Sequence, residues 1–134
     1  MTTLEEHKKI VRELLDDINE KIRSNLLVER QKIIGFATSE AATNVFAVLL
    51  HKNNLISPGF NVNHSLFVST KRAEEKFNFD FVKKKQILDL LVKQEDLRNK
   101  LCYGREKGKV LVESAIKNLF KLKETIENIL GEKL

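Results

Sequence analysis

Ile33-Ile34-Gly35-Phe36-Ala37-Thr38-Ser39-Glu40-Ala41-Ala42-Thr43-Asn44-Val45-Phe46-Ala47-Val48-Leu49-Leu50 is apolar on almost every side when wound at about 100° per residue. A helix with no solvated face must lie among other helices. The stretch, extended to about Val28–Asn53, is therefore expected to be the central helix of its domain. Only 5 Gly and 1 Pro occur in 134 residues and no β-branched alternation interrupts the helical period, so the chain reads as all-α.

On the N-terminal side, Thr3 with Glu6 three residues later forms a capping box, and Leu4, Val11, Leu14, Leu15, Ile18 and Ile22 make one stripe of a first helix reaching about Ser24. Beyond the central helix, Ser57-Pro58-Gly59 marks a turn in the loop Asn54–Asn63. Asn63 is placed to cap a short third helix through about Lys76, and Phe77-Asn78-Phe79-Asp80-Phe81 follows as an aromatic linker. A fourth helix is expected from about Val82 to Tyr103, with Gly104 as its left-handed stop. A fifth runs from about Lys109 to Leu130, ended by Gly131, with Leu111, Ala115, Leu119, Leu122, Ile126 and Ile129 on one face. Short connections between long amphipathic helices imply antiparallel neighbours, giving one domain over 1–134, an antiparallel four- to five-helix bundle.

The net charge of +5 suits phosphate-bearing partners and equally a solvated surface. A single cysteine, Cys102, excludes an intramolecular disulfide and makes a zinc ribbon implausible, which points to a reducing compartment. No apolar run approaches the roughly 20 residues that cross a bilayer, and Met1–Lys8 is acidic with no apolar leader core. No membrane association is expected, and the protein reads as soluble and cytoplasmic.

Leu97-Arg98-Asn99-Lys100-Leu101-Cys102-Tyr103-Gly104-Arg105 carries the most pointed chemical signal. Arg98 falls on the stripe of Ile87, Leu91 and Cys102, while Asp89, Asp96 and Lys100 take the opposite face, so the cation points inward. An inward charge is costly unless it is paired or lines a wet cleft. On the second helix Glu40, Asn44 and His51 form a polar line, and the economical expectation is that Glu40 or Asn44 meets Arg98 across the bundle. A purely structural polar layer predicts the same contact. Tyr103, five residues past Arg98, reaches it only if the last turn frays or if a second subunit shares the cleft, and it otherwise packs at a helix end. His64 is either a base or a first-turn surface residue, and His7 is a first-turn residue of the opening helix. Three scattered histidines give no metal signature, and no cofactor motif is present. Cys102, at a helix C-terminus where the dipole disfavours a thiolate, reads as core filler. Lys83-Lys84-Lys85 with Lys71-Arg72 is either a phosphate-attracting patch or a solvated charge run.

Arg98-Asn99 followed after four intervening residues by Tyr103 resembles the hallmark of the HEPN superfamily, an arginine followed after four to six residues by histidine, often with a polar residue directly after the arginine. Tyrosine stands where the histidine would be, as in a branch of that superfamily. Gly35-Phe36-Ala37-Thr38-Ser39-Glu40-Ala41-Ala42 is similar to the small-residue, acid-containing second helix of these domains, and Asn63-His64 to a position that often carries histidine. The likeness covers roughly Ile33 to Arg105. It implies a homodimer that brings two arginine motifs together, RNA or nucleotide phosphate bound by Arg98 with Asn99, Glu40, Asn44 and His64 around it, and no metal. It further implies cleavage in which the 2′-hydroxyl attacks the adjacent phosphate, with Arg98 and Tyr103 in the catalytic positions. A phenol carries protons less readily than an imidazole near neutral pH, so cleavage is expected to be slow or absent. Many members are toxins partnered by a small nucleotidyltransferase or an antitoxin. The competing reading is a non-catalytic dimeric module that binds such a protein.

Overall fold

Thr3 starts the first helix as its sequence requires. Its hydroxyl accepts from the Glu6 N–H at 3.1 Å, and the Glu6 carboxylate accepts from the Thr3 N–H at 2.7 Å, closing the capping box of α1 (Leu4–Arg23). The computed structural model describes residues 2–134 and continues with α2 (Gln31–Lys52), a 3-10 turn (His64–Phe67), α3 (Thr70–Lys76), α4 (Lys84–Cys102) and α5 (Lys109–Leu130). No strand occurs among the described residues.

Asparagine ends two of these helices where glycine is usual. After α1, Asn25 is left-handed (φ 55°) and the Leu26 N–H reaches back to the Lys21 carbonyl; after α2, Asn54 (φ 53°) lets the Leu55 N–H reach Leu50. Both ends thereby satisfy carbonyls that would otherwise be orphaned.

α2 is the centre, packed by α1, α4 and α5, with Ile34, Ala41, Val45, Phe46, Val48 and Leu50 sealed from solvent. By length and composition it could cross a bilayer, contrary to the expectation that no segment could; 83% of its most apolar stretch is buried inside the bundle. Contacts fix the directions. His7 near the start of α1 meets Asn44 and His51 near the end of α2, Gly35 near the start of α2 meets Leu101 and Cys102 at the end of α4, and Gln94 of α4 meets Asn118 and Ala115 of α5. Each pair is antiparallel.

The long α2–α4 connection is held by phenylalanines rather than by helix. Phe46 of α2 sits edge-on to Phe67 (5.9 Å) and Phe77 (5.1 Å), and Phe67 stacks on Phe77 at 5.7 Å. Phe46, Phe67 and Phe77 are fully buried, each worth about 1.5–3 kcal/mol of transfer. This cluster replaces the expected third helix with a 3-10 turn capped by Asn63 and a separate α3 capped by Ser69. It also delays α4, which begins after a left-handed Lys83 (φ 58°) and not at Val82.

Candidate functional site

α4 carries the inward arginine on the stripe that faces α2. Arg98 is 9% exposed, yet its guanidinium donates to no acceptor and meets no carboxylate within 4.0 Å among the described residues. The expected partners are elsewhere. Glu40 projects to solvent, and Asn44 is held in the core by donating to the Glu40 carbonyl at 2.8 Å and accepting from His7 Nδ1–H at 2.7 Å. The polar line of α2 therefore turns toward α1 and not toward α4, because Asn44 finds its partner one helix away on the other side. Arg98 is flanked instead by aromatic rings, with Phe36 at 4.9 Å and Tyr103 at 5.9 Å from its carbon Cζ.

Tyr103 reaches that position because the helix stops one residue early. α4 ends at Cys102, Tyr103 is extended (φ −128°, ψ 154°), Gly104 turns left-handed (φ 78°), and the ring swings back beside the guanidinium. Phe36 is 46% and Tyr103 58% exposed, so two half-open aromatic faces border a cation that protein leaves unpaired. Asn99 lies exposed at the rim.

Three residues before Arg98, on the same stripe, Glu95 is buried with its side chain 5% exposed. His64 Nδ1–H donates to Glu95 Oε2 at 2.7 Å, with Oε1 at 3.1 Å, while the His64 side chain remains 34% exposed. Ser39, Thr43, Gln94 and Phe67 close tightly round the pair and leave no room for water behind it. Phe67, three residues after His64, anchors the 3-10 turn and so fixes the imidazole. Glu95 was absent from the sequence expectations. The signal for it was its place on the Leu91–Arg98 stripe.

Around this centre the remaining candidates fall into structural roles. Cys102 is buried against Gly35, its thiol pushed up by burial despite the opposing charge of Arg98, and Sγ donates weakly to the Lys32 carbonyl at 3.5 Å. The His7 and His51 rings lie 5.3 Å apart, tilted by 31°, and His51 Nε2 is sealed off without a partner. Lys83, Lys85, Lys71 and Arg72 are exposed, with Lys85 3.4 Å from Asp89. A groove of about 390 Å³ lined by Arg30, Lys32, Ile33, Leu101 and Arg105 opens at the end of the bundle that α2 and Tyr103 share. Among the described residues, no three of His, Cys, Asp and Glu gather as metal ligands.

The site thus comprises a partly open guanidinium between two aromatic faces, with Glu95, whose carboxylate holds the His64 imidazole, one helical turn earlier on α4. Compared with family models, curated proteins and solved structures, the chain matches none.

Proposed function

We propose that the Arg98 face binds the phosphate of RNA or of a nucleotide, in the manner of a HEPN-like domain. The observation that carries the reading is the unpaired guanidinium, 9% exposed and without a carboxylate. A buried cation without a counter-ion is costly, and a phosphate oxyanion arriving at its open edge would relieve that cost with a bidentate, charge-assisted contact. Phe36 and Tyr103 support a nucleotide over a simple anion, since half-exposed rings beside a phosphate site offer faces on which bases stack. Asn99, the residue after Arg98, is exposed to solvent.

The test is a titration of labelled single-stranded RNA at two salt concentrations. Wild type should bind with a salt-dependent affinity, and Arg98→Ala should weaken it at least tenfold at low salt. Equal binding by Arg98→Ala overturns the reading.

A second reading rests on Phe36 and Tyr103, left 46% and 58% exposed beside Arg98, and on Ile33, 46% exposed three residues before Phe36 on α2. Such a patch suits a protein surface, either a second copy of the chain or a partner such as a small nucleotidyltransferase or antitoxin. Light scattering should give a dimer at micromolar concentration. Phe36→Glu should yield a monomer of 15.5 kDa if this patch is the contact.

A further inference from the structure

α4 has a second face, turned away from Arg98. At about 100° per residue Lys93 lies about 140° round the helix from Arg98 and Asp89 lies opposite it, and both border a groove between α4 and α5. Two adjoining hollows of about 420 and 570 Å³ make up this groove, joined where Leu90, Lys93 and Lys121 belong to both. Lys93, Lys117 and Lys121 stand exposed along it, and none of them has a carboxylate within 4.0 Å among the described residues.

The wall of the groove carries a polar atom that the fold leaves over. Asn118 is 4% exposed, and its Nδ2 donates to the Leu90 carbonyl and to Gln94 Oε1, each at 2.9 Å. A backbone carbonyl only accepts, so the amide cannot be turned the other way round. Gln94 Nε2 is itself taken by the Ala115 carbonyl at 3.1 Å. Asn118 Oδ1 therefore has no donor among the described residues, on a side chain that lines the groove, and it is not one of the unpartnered atoms sealed from solvent. Amide groups this deeply buried normally have their acceptors satisfied, so this oxygen calls for an N–H or O–H from outside.

Unpaired cations call for anions, Asn118 calls for a donor, and Leu90 with the 80% exposed Val110 offers apolar surface between them. An extended acidic peptide supplies all three. Its alternate side chains recur at about 6–7 Å, close to the rise of about 6 Å between Lys117 and Lys121, four residues apart on α5, and its backbone N–H groups are free between them. From Val110 to Lys121 α5 rises about 16 Å, the reach of about five extended residues. A nucleic-acid strand meets the lysines but not the rest. A phosphodiester link carries no donor for Asn118, and Asp89 and Glu113 on the walls oppose an unbroken run of phosphates.

We propose that the groove between α4 and α5 is a docking site for an extended acidic segment of a partner protein, with carboxylates on Lys93, Lys117 and Lys121 and one backbone N–H on Asn118 Oδ1. The groove and the Arg98 site occupy different faces of α4, so neither depends on the other.

The experiment is fluorescence anisotropy on the full chain with a short labelled peptide of alternating glutamate and valine. Wild type should bind it at low salt, and the same peptide with glutamine for glutamate should bind at least about tenfold more weakly. Lys93→Glu combined with Lys121→Glu should weaken binding at least about tenfold, both side chains being exposed and free of any fold-holding contact. Lys71→Glu combined with Arg72→Glu changes the net charge equally on α3 and should stay within about twofold. Replacing the peptide's amide links by esters, one at a time, should cost about three- to tenfold at one position, where Asn118 Oδ1 loses its donor and no charge changes. A labelled single strand of DNA of equal charge should bind more weakly than the peptide. Absence of peptide binding at low salt, an equal loss in the α3 variant, no ester-sensitive position, or DNA bound as tightly as the peptide overturns the proposal.

Discussion

Gly35 lets α2 pack closely against the end of α4, and Gly35→Ala puts two opposing effects in competition. Alanine favours a helix interior by about 1 kcal/mol over glycine. Against that, a methyl group at Gly35 would lie 2.8 Å from Cys102 Sγ and 3.1 Å from Leu101 Cβ. Sγ could rotate away only by giving up its contact with the Lys32 carbonyl, and Leu101 Cβ is fixed to the α4 backbone with its side chain 1% exposed. Overpacking of this kind costs about 1–3 kcal/mol and here has to include a shift of the helix end. The methyl should therefore lose, with a net destabilisation of up to about 2 kcal/mol and a fall in Tm of up to about 7 °C for a domain of this size. Urea unfolding followed by circular dichroism measures it. In a Cys102→Ala background the 2.8 Å clash is gone, so the same substitution should cost about 1 kcal/mol less. A Gly35→Ala protein more stable than wild type, or one equally destabilised with and without Cys102, would refute the close-approach argument.

Arg98→Met should change stability by no more than about 1 kcal/mol, since no carboxylate is left behind; a loss above about 3 kcal/mol in thermal unfolding would reveal a buried partner for the guanidinium. Gln31 accepts from the Lys107 N–H at 2.8 Å and donates to the Lys107 and Val28 carbonyls at 3.0 Å each. Gln31→Ala should therefore cost about 2–3 kcal/mol and speed amide exchange at Lys107, and unchanged exchange there counts against the tether. Burial, and then the neighbouring His7, hold the His51 pKa below its ordinary 6.5, so the unfolded chain takes up this proton first. Stability from His51 is complete above 6.5 and declines as pH falls from there to the lower folded value. A Tm–pH curve that slopes in this window and flattens in His51→Gln is the expected result, and an unchanged slope in the variant assigns the effect elsewhere.

The centre of the fold was legible because α2 has no polar face and because Thr3, Glu6, Gly104 and Gly131 mark helix ends by their own chemistry. Ile33 and Phe36 read as core and are half-exposed. On a helix Phe36 shares a face with Thr43, and the 3-10 turn covers that face at Thr43 and Phe46 without extending to Phe36. What the sequence did not reveal was tertiary. The inward direction of Arg98 follows from periodicity, but whether Asn44 would turn to Arg98 or to His7 depends on which helix lies on which side. Glu95 shared the Arg98 stripe throughout, yet its partner is a histidine 31 positions earlier on a turn placed by phenylalanine packing. No local pattern encodes that distance.

The topology also orders events during synthesis. α2 is complete once Lys52 has left the ribosome, and α1 is already there to cover one side of it. The other sides wait for Leu88 and Leu91 of α4 and for Leu119 and Leu122 of α5. At about 5–20 residues per second, the stretch from the end of α2 to Leu130 takes roughly 4–16 s to translate. For that interval the most apolar helix of the chain is a nascent segment with uncovered surface. Its greatest exposure to aggregation and to holding chaperones therefore falls before α4, which carries Arg98, has been made.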